Sequence, residues 1–66
     1  MDPNFANAYN NRGVSYRRLG RHERAIEDYD KAIDLDPTAV RYCNRGLCYS
    51  ELGEHIKAVE DYTEAI

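Results

Sequence analysis

Residues 6–33 and 39–66 overlay without a gap at a spacing of 33, and 15 of the 28 pairs are identical. They include Tyr9/Tyr42, Arg12/Arg45, Gly13/Gly46, Tyr16/Tyr49, Gly20/Gly53, Ala25/Ala58, Asp28/Asp61 and Tyr29/Tyr62. A period of this length marks a stacked array, in which each unit leaves an apolar face that only its neighbour can cover. Each unit must then be one supersecondary element, and both copies the same one.

The spacing of apolar residues identifies that element as a helix pair. His22, Ala25, Ile26, Tyr29, Ala32 and Ile33 fall on one helical stripe, repeated by His55, Ala58, Val59, Tyr62, Ala65 and Ile66. Tyr9, Gly13, Tyr16 and Leu19, with Tyr42, Gly46, Tyr49 and Leu52, define a second face at the same spacing. Gly20 and Gly53 sit where a helix closes through a left-handed residue. Asp2-Pro3 precedes the first helix and Asp36-Pro37 closes the second, because proline starts a helix but cannot continue one. These signals predict four helices, at 4–18, 22–35, 38–51 and 55–66, joined by turns short enough to force antiparallel hairpins.

With 66 residues the chain is a single domain, 1–66, made of a first unit at 4–36 and a second at 38–66. A chain this short has little core of its own. Cys43 and Cys48 are five apart on a predicted helix and point in different directions, so they read as two reduced thiols of a cytoplasmic protein. No Cys/His ligand spacing, phosphate loop or convergent set of reactive groups occurs, which predicts no metal, no cofactor and no enzymatic activity. The net charge of −3 argues against nucleic acid as a partner, and no apolar stretch could span a membrane.

Two features ask for tertiary partners. Gly13 and Gly46 lie inside helices, where glycine costs about 1 kcal/mol against alanine. The expected reason is the ring of Tyr29 or Tyr62 lying over the gap. Arg12 and Asp28 recur as Arg45 and Asp61 at the same separation, which predicts an ion pair inside each hairpin.

At this point the sequence resembles the tetratricopeptide repeat family, whose pattern is W-x2-L-G-x2-Y, A-x3-F and P. The first unit reads Tyr9-x2-Arg12-Gly13-x2-Tyr16, Ala25-x3-Tyr29 and Pro37. The second reads Tyr42-x2-Arg45-Gly46-x2-Tyr49 and Ala58-x3-Tyr62. Tyrosine stands for tryptophan and phenylalanine, arginine for leucine, and the junction between units is one residue short. The resemblance implies an all-α fold, a right-handed α-solenoid of two helix-turn-helix repeats with four antiparallel helices.

It also implies a concave groove lined by the first helix of each unit, which commonly holds an extended peptide. By position the groove would be Asn7, Asn10, Val14, Arg17 and Arg18 with Val40, Cys43, Leu47, Ser50 and Glu51. All ten belong to pairs that differ between the copies. Arg12, Arg17, Arg18, Arg41 and Arg45 lie on first helices against one acid, Glu51, so the groove should be positive and favour an acidic segment of a protein or peptide partner. Against this stands a structural reading. The second unit stops before its proline with no capping helix, so the last helix should expose a self-association face among Ala58, Val59, Tyr62 and Ile66. A third reading, a helical repeat that binds RNA, is opposed by the acidic net charge.

Overall fold

The computed structural model describes residues 3–66 and consists there of four helices. They are α1 (Pro3–Arg18), α2 (His22–Leu35), α3 (Ala39–Glu51) and α4 (His55–Ala65). Helix α1 packs on α2 and α3 on α4, giving two helix-turn-helix units, and α3 also packs on α2 to stack the second unit on the first. The result is a slab of about 32 × 27 × 13 Å.

The helix ends follow from local chemistry. Gly20 and Gly53 take φ of 82° and 83°, which only glycine adopts without strain. Each allows a Schellman closure: Arg21 N–H donates to Tyr16 C=O at 2.8 Å and Gly20 N–H to Arg17 C=O at 2.9 Å. Glu54 to Tyr49 and Gly53 to Ser50 repeat it at 2.8 and 3.0 Å. Three of the sequence-based ends move by one residue. Pro3 is itself the first residue of α1, the helical position where proline is best tolerated; Asp2 lies outside the described residues. Thr38 is a cap rather than a helical residue, its hydroxyl accepting from Arg41 N–H at 3.3 Å. Ile66 follows the end of α4.

The interior is small. Ala25 and Tyr29 of α2 and Cys48 of α3 form the buried centre, with Val14, Tyr16 and Ile26 packed around it. Gly13 is where α1 approaches the Tyr29 ring. A Cβ there would lie 2.7 Å from Tyr29 Cε1, and one on Gly46 would lie 3.0 Å from Tyr62 Cε1. The helix-breaking cost of glycine is thus the condition for close hairpin packing.

Burial pushes the Cys48 thiol up from 9.0 to about 11. Below pH 9 both folded and unfolded chains keep this proton. Between 9 and about 11 only the unfolded chain loses it, so folding stability falls with rising pH and the loss levels off above that range. The melting temperature of the wild type should therefore drop across this window more steeply than that of Cys48→Ala. Parallel slopes would show that burial of this thiol has no such consequence.

Candidate functional site

Each unit contains one ion pair that ties its two helices together. Arg12 donates from Nε and Nη2 to the two Asp28 oxygens, both at 2.8 Å. Arg45 does the same to Asp61 at 2.9 and 2.7 Å. Its third nitrogen, Nη1, donates to Asp30 of α2 at 2.8 Å, so this arginine also joins the two units. Hydrogen bonding to these carboxylates raises both guanidinium pKa values further, so neither arginine loses its charge. The guanidinium of Arg12 lies 5.7 Å from the Tyr9 ring centre and that of Arg45 5.6 Å from Tyr42. The two departures from the family pattern are therefore coupled. An arginine that reaches the aspartate covers a tyrosine on the way.

Along the first helices runs a ladder of side chains between units. Arg41 Nη2 donates to Asn7 Oδ1 at 2.7 Å, Asn44 Nδ2 to Asn10 Oδ1 at 3.1 Å, and Arg17 Nη1 to Glu51 at 3.3 Å. All three rungs join residues 34 apart. Residues 7, 10 and 17 share one face of α1, and 41, 44 and 51 one face of α3, because their spacing is helical. His22 closes the far end, with Nε2 3.1 Å from Glu51 and Nδ1 3.2 Å from the Gly20 carbonyl. Both neighbours are acceptors, so the tautomer of the ring decides which of the two contacts is a hydrogen bond.

Of the ten residues placed in the groove from sequence, Asn7, Asn10, Arg17 and Glu51 are brought together in these rungs. Val40, Cys43 and Leu47 are exposed on the second unit, Arg18 is exposed on the first, and Ser50 is half-buried. Val14 instead leans on the buried centre. Two rung residues, Arg41 and Asn44, were not in the set. Asn44 is identical to its counterpart Asn11, whereas the ten groove positions all differ between the copies. Arg41 looks like a surface charge in sequence but is buried, held by Asp36 at 3.4 Å, Thr38 at 3.2 Å and Asn7. A search for polar residues 34 apart would have found both.

The expected positive lining is corrected. Arg12, Arg41, Arg45 and Arg17 all have carboxylate partners, and among the described residues only Arg18 of the five has none. Positive character is thus confined to the Arg17–Arg18 end. On the other side of the slab, Asp30, Asp34, Glu60 and Asp61 line an acidic cleft with Arg45 and Lys57. Among the described residues no group of His, Cys, Asp and Glu is placed to hold a metal ion, and no helix is long and apolar enough to cross a membrane. The face of α4 needs one correction. Val59, Tyr62 and Ile66 are exposed, but Ala58 is buried, because a helix starting at His55 turns position 58 inward.

The tetratricopeptide repeat pattern matches residues 6–38 and again 39–66. A serine/threonine-protein phosphatase T from Trypanosoma brucei brucei is 40% identical over 37 residues. That stretch is 56% of this chain and 8% of the phosphatase, so the chain spans only a small part of that relative.

Proposed function

Because this chain belongs to the tetratricopeptide repeat family, a protein-interaction module, we propose that it holds an extended segment of a partner protein along α1 and α3. In this reading it is a binding module with no chemistry of its own. The observation that carries it is the ladder of side chains between the two first helices. Each asparagine rung uses only part of its hydrogen-bonding capacity. Asn10 keeps its amide N–H donors and Asn44 its carbonyl, with no other protein partner among the described residues. These are the groups that pair with the N–H and C=O of an extended backbone. Val40 and Leu47 supply apolar surface beside them.

Charge selects the guest at one end. Arg17 is held only loosely by Glu51, at 3.3 and 3.5 Å, and Arg18 stands next to it. An acidic side chain or terminal carboxylate of the guest replaces Glu51 on Arg17. Fluorescence anisotropy with labelled peptides of matched length and differing charge tests this. Acidic peptides should bind best, Arg17→Ala with Arg18→Ala should weaken them roughly tenfold, and Glu51→Gln should tighten them. Binding that ignores peptide charge would remove the selective role of Arg17, and no binding of any peptide would remove the groove.

A further inference from the structure

Position 51 is glutamate where its counterpart, position 18, is arginine. This acid of α3 serves groups from two other helices at one end of the groove. It accepts from Arg17 Nη1 of α1 at 3.3 and 3.5 Å, and its Oε1 lies 3.1 Å from His22 Nε2 at the start of α2. The ring is fixed from its other side, where Nδ1 lies 3.2 Å from the Gly20 carbonyl of the left-handed turn.

A neutral imidazole has one N–H, and here two acceptors face it. With the proton on Nδ1, the Nε2 lone pair meets the carboxylate; with the proton on Nε2, the Nδ1 lone pair meets the carbonyl. A second proton turns both nitrogens into donors and adds a positive charge, a change that histidine makes near neutral pH.

We propose that His22 gates the Arg17 end of the groove by pH: its protonated ring holds Glu51 and leaves Arg17 to the carboxylate of an acidic guest. This rests on the groove reading above and adds a control to it. With His22 neutral, Arg17 and Glu51 cancel, and the guest competes with a carboxylate of the same chain. With His22 protonated, one carboxylate faces two cations, and the surplus charge draws the guest.

The surroundings leave His22 as the group that changes. Helix α2 packs on α1 and α3. Of their charged residues, Arg12 is paired with Asp28, Arg41 with Asp36, and Arg45 with Asp30 and Asp61. Arginine and glutamate side chains such as Arg18, Arg21 and Glu23 hold their charges from about pH 5.5 to about pH 8. Tyr29 and Cys48 lie beneath the cluster, and burial pushes both upward, so both stay neutral.

Aspartate-rich peptides, whose own charge is constant over this range, test the gate by fluorescence anisotropy at about pH 8 and about pH 5.5. The wild type should bind about threefold tighter at the lower pH. His22→Gln should lose this gain. His55→Gln should keep it, because His55 is the exposed counterpart and makes no such pair among the described residues. Glu51→Gln should bind tightly at both pH values and gain little from acid. In the free protein, nuclear magnetic resonance should show the Arg17 side-chain nitrogens shifting together with the His22 ring, and His22→Gln should abolish that step. Far-UV circular dichroism confirms the fold of each variant. An undiminished gain in His22→Gln or in Glu51→Gln overturns the inference, as does an Arg17 signal that ignores the ring. Binding without a pH step removes the gate alone, whereas peptides that bind at neither pH remove the groove and the gate with it.

Discussion

Gly13→Leu should leave the chain without a cooperative thermal transition. A helical interior glycine is ordinarily the easiest residue to improve, since alanine there gains about 1 kcal/mol. Here the added carbon would sit 2.7 Å from Tyr29 Cε1 and 2.9 Å from Cδ1. Those atoms belong to a ring with 0% exposure, so it has nowhere to swing. Overpacking of this kind costs about 1–3 kcal/mol for small additions, and leucine adds three more carbons. A domain of this size has only roughly 3–10 kcal/mol of total stability. Gly13→Ala should already lower the melting temperature. Gly46→Ala should lower it less, because the Tyr62 ring facing it is 36% exposed and can move outward. Equal losses at the two glycines, or a gain at Gly13, would show that the close approach does not constrain the fold.

The second large effect should come from Arg45. Its partner Asp61 has a side chain only 6% exposed, whereas the arginine keeps 21%. The two ends of the pair are therefore unequal. Arg45→Leu strands a carboxylate inside the hairpin and also releases Asp30, a loss of about 3–5 kcal/mol. Asp61→Asn leaves an arginine that still has Asp30 and water, and should cost less. Urea denaturation of the two single variants and of the double variant gives the coupling directly. The double variant should be more stable than the sum of the single losses implies, by about 1–3 kcal/mol. Strictly additive losses would mean that the two side chains do not act as a pair. Arg12 and Asp28 should show the same order with smaller losses, because Arg12 is more exposed and makes no second ion pair among the described residues.

Both results concern interactions that could be read from the chain as letters. The glycines were legible because a costly residue recurs at one place in each unit. The ion pairs were legible because arginine and aspartate recur 16 apart in both. The rungs between units were not. They join residues 34 apart, one more than the repeat length, so overlaying the copies at 33 pairs Asn7 with Val40 instead of Arg41. The charge of the groove was misread for a related reason. Counting arginines on first helices ignores the carboxylates that second helices and the Asp36 turn bring to them.

Helix positions, hairpin pairing and the left-handed turns were written in contiguous residues, because helical spacing and glycine conformation act within a few positions of the chain. Whether a given side chain is buried was decided only when one hairpin lay on the other. Tyr29 and Tyr62 are the same residue at the same place in their units, and one is sealed while the other meets water. The difference is α3, which stands over α2, whereas among the described residues no helix stands over α4.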